Sequence, residues 1–186
     1  MGDIKGIFCN IRERISKAYL ATITSTKIKW FSMLDQQRAR ALNSALVQHR
    51  FQKGEIIFDI GESSDNFFFL HEGRIRLDSM VEVEHITKWP LNKKETEWNV
   101  HSKKVIRSLK ECEAPDLIGH IPALQGSKTR HLRAVAITDV TVLQGKTNLL
   151  IEYLTHDQLK AMRKSVSDKN PYDIGKVFLS NRYDMN

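Results

Sequence analysis

Cysteine is scarce in this sequence: two residues, Cys9 and Cys112, stand among 186. Two thiols this far apart build neither a disulfide framework nor a cysteine-rich zinc site, and they read as reduced thiols of an intracellular protein. The seven histidines are scattered, without an H-x-x-x-H spacing or a Cys/His pairing, so no metal site is expected. No window approaches the ~20 apolar residues of a membrane span, so no transmembrane segment is expected. The start, MGDIKGIFCNIRER, lacks the apolar run of a secretory signal. Gly2 invites N-myristoylation, but Gly6 stands where that motif needs Ser or Thr. Together these absences predict an intracellular, cytoplasmic chain.

Catalytic signatures are missing as well. Nothing in the sequence presents a nucleophile, a base and an orienting group as a set, so no enzyme is expected and no catalytic residue is assigned. Gly145-Lys146-Thr147 imitates the end of a P-loop, yet Val140 occupies the place of its first glycine. The excess of 29 basic over 22 acidic residues is moderate. It suits nucleic acid, an anionic membrane or an acidic partner without choosing among them. No DNA-binding element is expected, because residues 161–186 are too few for a helix-turn-helix with a wing.

What is present falls into three regions, and the length suits one core with helical appendages. Residues 1–52 read as an N-terminal helical segment. Ile4, Ile7, Phe8, Ile11 and Ile15 recur at helical spacing. A second helix begins after Asp35, a suitable N-cap, and turns Ala39, Leu42, Ala45 and Leu46 inward. Residues 53–145 change to short strands separated by turn residues. Glu55 to Phe58 and Asn66 to Leu70 read as strands. His71, Glu72 and Gly73 read as a tight connection, because glycine takes a positive φ without strain. The alternation of Arg74, Ile75, Arg76 and Leu77 fits a half-buried strand. Residues 78–111 read as an inserted hairpin. Its polar tip runs from Lys88 to Thr96 and is flanked by Trp89 and Trp98, which pack together or meet a partner. Residues 146–186 return to helix, with Leu149, Leu150, Tyr153, Leu154, Leu159 and Met162 on one face, Pro171 as a break, and a last short helix over Ile174 to Leu179.

The chemistry concentrates between Asp116 and Arg130. A strand ending at Gly119 lets the backbone approach a ligand closely. A short helix over Ile121 to Leu124 then turns free N–H groups toward an anion, and Pro122 suits its first turn.

The ordered series Lys53-Gly54-Glu55, Ile57-Phe58, Gly61, Asn66-Phe67-Phe68, Gly73, Gly119, Arg130 and Ala136-Ile137-Thr138-Asp139 resembles the cyclic-nucleotide-binding domain family. The resemblance covers about residues 31–160. It implies a mainly β fold with flanking helices: a double-stranded β-helix jelly roll with N-terminal and C-terminal helices. It also implies that residues 116–130 form a phosphate-binding cassette in which Arg130 neutralises a cyclic phosphate. The implied ligand set is Gly119, His120, Ile121, Ala123, Arg130 and His131, with cyclic AMP or cyclic GMP as ligand, no bound cofactor, and a protein partner to receive the signal.

Three departures bear on that site. His120 stands where the family usually has a glutamate for the ribose 2′-hydroxyl, and a neutral imidazole offers one acceptor nitrogen instead. His131 and Leu132 replace the usual small residues after the arginine. Pro115 replaces a common glycine. The pocket is therefore either adapted or degenerate. Two readings follow: a regulatory module sensing cyclic AMP or cyclic GMP, or a structural and interaction protein that keeps the roll as a scaffold. The Gly119-His120 form and the tryptophan-bearing hairpin are similar to divergent domains of ciliates and other flagellated protists, which implies a place in a cilium or axoneme.

Overall fold

The computed structural model describes residues 4–92 and 95–168, without the side chains of 4–13, 84–92, 95–101 and 166–168. The last helix expected over Ile174 to Leu179 lies outside the described residues. Three helices open the chain: α1 (Ile4–Ile23), α2 (Lys29–Ser32) and α3 (Gln36–Ala45). Asp35 caps α3 as its side chain predicts, accepting the Arg38 N–H at 2.8 Å. Ala39 and Leu42 are buried as expected, but Ala45 is exposed and ends the helix.

Eight strands follow: β1 (Val47–Phe51), β2 (Ile56–Phe58), β3 (Asn66–Glu72), β4 (Arg74–Asn92), β5 (Glu95–Glu113), β6 (Asp116–Ile118), β7 (Leu132–Ala136) and β8 (Val140–Lys146). They form two four-stranded sheets, ordered β1-β8-β3-β6 and β2-β7-β4-β5, with every pairing antiparallel. Helix α4 (Ile121–Leu124) lies between β6 and β7, and α5 (Asn148–Tyr153) and α6 (His156–Asp168) close the described chain. This is the expected mainly β roll with helices before and after it.

The central strands β3 and β8 of the first sheet are buried on both faces, which explains the unbroken apolar run of β3. Phe67 and Phe69 point to the helices, among Ile23, Phe31, Leu42, Leu150 and Met162. Phe68 and Leu70 point into the roll, among Phe58, Ile75, Ala134, Ala136 and Val142. Side chains that alternate along a strand thus feed two cores, and each fully buried phenylalanine contributes about 1.5–3 kcal/mol. Helix α1 is fixed to the back of β3 by a hydrogen bond between Thr22 Oγ1 and His71 Nδ1 and by the edge of Tyr19 on the His71 ring.

Four expectations change. Residues 47–51 form a strand rather than the end of a helical segment, because backbone pairing with β8 decides their state. The chain stays in β3 through Glu72, so Gly73 (φ +90°) reverses it almost alone, and a Cβ there would collide with the Asp139 carbonyl. The strand expected from Glu55 begins at Ile56, because Glu55 closes the preceding turn, its carboxylate accepting the Gln52 N–H at 2.7 Å. The hairpin is paired from Arg74 opposite Glu113 to Asn92 opposite Glu95, through most of the region expected as a polar tip. β7 accompanies β4 only to Ser79, so from Met80 the ribbon continues with two strands for roughly 40 Å. Trp89 stands opposite Glu97 and Trp98 opposite Lys88; the packing of their side chains lies outside the described residues.

Candidate functional site

The site is built where β6 ends. Gly119 takes φ +76°, and a Cβ there would sit 2.7 Å from Arg130 Nη1 and 3.3 Å from Phe68. Both the backbone angle and the space demand glycine. Helix α4 starts next, with Pro122 in its first turn as expected and the Leu124 N–H donating to the His120 carbonyl at 3.2 Å.

Arg130 is brought to Gly119 by a short ladder across the molecule. The Gly61 N–H donates to the Arg130 carbonyl at 2.9 Å, and the Arg130 N–H donates to the Glu62 carbonyl at 2.8 Å. Ser64 adds backbone and hydroxyl bonds to Lys128 and Ser127. With its backbone clamped, the Arg130 side chain runs inward and is only 3% exposed. Nη1 donates to the Gly119 carbonyl at 3.2 Å and Nη2 to the Asn66 carbonyl at 2.7 Å. The guanidinium carbon lies 4.2 Å from the Phe58 ring centre and 5.4 Å from that of Phe68, and these π faces favour a cation. Among the described residues no carboxylate forms an ion pair with it. Burial pushes its pKa down, while Glu62 and Asp65 pull it back up from a distance.

His120 shares this hollow. Its ring is half-buried, and its Nδ1 is enclosed with no hydrogen-bond partner among the described residues. Burial holds its pKa down to about 4 against the opposing charge of Asp116, so the ring is neutral at pH 7. The cavity has a volume of about 370 Å³. Gly119, His120, Ile121, Pro122 and Arg130 line it together with the apolar Leu77, Leu109, Cys112 and Leu132. Burial raises the Cys112 thiol to about 11, so it stays protonated. Ser165 of α6 reaches the rim. Arg130 also borders a second hollow of about 380 Å³ on its far side, toward Phe51, Glu62 and Gln144.

Gly119, His120, Ile121 and Arg130 therefore converge on one cavity. Ala123 does not line it. His131 is exposed and turned away, its Nε2 3.1 Å from Ser127 Oγ, so it does not crowd the arginine. Arg130 and Leu132 line the cavity, whereas His131, at a bend between them, does not. Sequence reasoning missed Phe58 and Phe68 as the faces under the guanidinium, the Asn66 carbonyl as its acceptor, and Ser165 at the rim. The aromatic pair was visible in the sequence; its meeting with Arg130 was not. Among the described residues, no group of three or more His, Cys, Asp or Glu converges as a metal site would require, and no helix is long and apolar enough to cross a membrane.

No protein-family model and no curated protein matches this sequence. Solved structures do match. The regulatory domain of Toxoplasma gondii protein kinase A in complex with cAMP superposes with a TM-score of 0.62 at 15% identity, over 86% of this chain and 51% of that one. The regulatory subunit of a cAMP-independent protein kinase A from Trypanosoma cruzi, bound to guanosine, gives 0.63 at 18% identity, over 89% and 50%. The catabolite activator protein of Thermus thermophilus gives 0.55 at 17%, over 81% and 61%. The fold is that of a cyclic-nucleotide-binding domain. This chain spans about half the length of the Toxoplasma and Trypanosoma regulatory chains it matches. Within this fold, α4 and the buried arginine behind Gly119 both belong to the stretch from Asp116 to Arg130.

Proposed function

We propose that the chain is a non-enzymatic ligand-sensing module that takes cyclic AMP or cyclic GMP into the 370 Å³ cavity and reports occupancy to a protein partner. One observation carries this reading: the Arg130 guanidinium is 97% buried yet has no carboxylate to neutralise it among the described residues. Two of its five N–H groups are engaged by backbone carbonyls, which leaves donors for the oxygens of an anion. The cavity volume falls within the range of roughly 300–1,000 Å³ usual for small-molecule sites. Ser165 at the rim gives α6 a direct contact with whatever fills the cavity, a route from ligand to partner. Structural neighbours described as regulatory domains with cAMP point the same way.

A second reading is favoured by the placement of the same arginine. Its stacking on Phe58 and Phe68 and its bonds to Gly119 and Asn66 tie three elements together, so it also suits a scaffold whose roll holds outward-facing surfaces such as the β4–β5 ribbon in place. Melting of the purified protein with cyclic AMP, cyclic GMP and guanosine separates the two. Under the sensing reading a cyclic nucleotide at ~100 times its dissociation constant stabilises by about 2.7 kcal/mol, whereas guanosine, lacking the phosphate, does not. His120→Glu tightens that binding by restoring a carboxylate beside the cavity. No response to either cyclic nucleotide at millimolar concentration defeats the sensing reading and leaves the scaffold.

A further inference from the structure

The charge of this chain is unevenly placed. Residues 1–52 hold nine basic residues and three acidic ones, whereas residues 53–186 hold 20 and 19. Six of the seven excess positive charges thus belong to α1, α2, α3, β1 and their connections. The cations with described side chains are exposed: Arg14 and Lys17 on α1, Lys27 and Lys29 at the turn between α1 and α3, Arg40 on α3, and Arg50 on β1. Asp35, the segment's own carboxylate among the described side chains, is taken up in capping α3 and lies 3.3 Å from Arg38. Helices α1 and α3 pack as one layer, joined by the Asn43 amide donating to Ser16.

The turn that joins these helices adds an apolar element. Met33 is 82% exposed, more than any other large hydrophobic residue described. It follows Trp30, which is half-buried and carries the Lys29 ammonium 4.9 Å from its ring centre. An exposed methionine contributes nothing to neutralising phosphates along a nucleic acid, and cations alone suffice for an acidic peptide. Two exposed lysines close in the chain to a projecting apolar side chain and a tryptophan instead match the interface of an anionic bilayer. There the charges meet head groups while the apolar group and the indole reach the acyl boundary.

We propose that the α1–α3 layer is a docking face for an anionic membrane surface, with Met33 entering the interface and Lys27 and Lys29 held at the head groups. The attachment is peripheral and screened by salt. It is independent of the cavity, so it stands or falls apart from cyclic-nucleotide binding.

Co-sedimentation of the full chain with phosphatidylserine-containing vesicles, and with phosphatidylcholine vesicles as the neutral reference, tests this. The protein is expected to bind the anionic vesicles at low salt, to leave them as salt rises, and to ignore the neutral ones. Reversing two charges, Lys27→Glu with Lys29→Glu, lowers binding roughly tenfold or more. Met33→Ser lowers it by a smaller factor and weakens the part that survives salt. The same reversal on the ribbon, Lys103→Glu with Lys104→Glu, leaves it unchanged; all these positions are exposed, and unaltered melting verifies folding. Absence of binding to anionic vesicles overturns the proposal, as does equal loss from the ribbon reversal. Binding to immobilised polyglutamate or to duplex DNA without binding to vesicles also overturns it, in favour of an acidic protein or a nucleic acid.

Discussion

Arg130 and Arg133 stand three residues apart and live under opposite rules. Arg133 lies on the outer side of the roll, where its Nε and Nη2 meet the two oxygens of Asp59 at 2.7 and 2.9 Å. That fork holds the Asp59 carboxyl below its usual range and raises the arginine. Arg76 and Asp78 repeat the arrangement on β4. Arg130 lies inside, with π faces and carbonyl oxygens and, among the described residues, no carboxylate paired with it. An outer cation matched by a carboxylate is electrically complete, and partly solvated pairs of this kind contribute little. An inner cation left unmatched costs desolvation in the free protein and gains most from an anion that reaches it. The outer cation is matched by a carboxylate of the protein itself; the inner one, among the described residues, is not.

The sharpest way to break this contrast is to remove the inner cation. Arg130→Ala should abolish the nucleotide-dependent rise in melting temperature, a loss of about 2–5 kcal/mol of binding. The more telling variant is Arg130→Met, which fills similar space without charge. It should abolish the response equally while leaving the free protein as stable as wild type or more so, since replacing a buried charge by an apolar group is often neutral or stabilising. If Arg130→Met unfolds the domain, the guanidinium serves structure rather than ligand.

A second test uses His120. Its folded pKa is held to about 4, below the ordinary 6.5, so the unfolded chain binds more protons between those values. Stability from the neutral ring is therefore complete above pH 6.5 and declines as pH falls toward 4, by on the order of 3 kcal/mol in total. Denaturant melts of wild type and His120→Gln across this range check it: the variant should lack the wild-type decline attributable to this residue.

Gly119→Ala comes next. Its φ of +76° alone costs about 1–3 kcal/mol in a non-glycine residue. The added methyl also presses Arg130 Nη1, so binding should fall along with stability. The smallest effect belongs to the outer pair: Arg133→Ala should barely move the melting temperature and leave any nucleotide response intact. A loss of response there would erase the distinction between the two regions.

Much of this contrast was legible before folding. Glycines at 73 and 119 marked a reversal and a close approach, and both take positive φ. Asp35 marked the start of α3, and Pro122 the first turn of α4. Other features left no local trace. The segment Val47–Phe51 has four exposed residues of five and no apolar alternation, so only its pairing with β8 makes it a strand. The polar stretch around Lys88 to Thr96 carries turn residues, yet the register begun at Arg74 carries strand pairing to Asn92 and Glu95. His131 enters the ligand set through the resemblance, whereas the bend at this residue leaves it exposed beside Ser127.

By itself the sequence determined where glycine, proline and capping aspartate divide most of the elements, because those preferences are written in a few bonded residues. It determined too that its excess charge lies in the first 52 residues. Only the tertiary structure decided that Phe58, Asn66, Phe68, Gly119 and Arg130 meet. These positions come from four separate segments, and their contacts arise from sheet order and from the ladder between residues 61–64 and 128–130. The environment of a charge depends on what surrounds it in space. The same residue type, three positions apart, therefore ends up paired in one case and unpaired in the other.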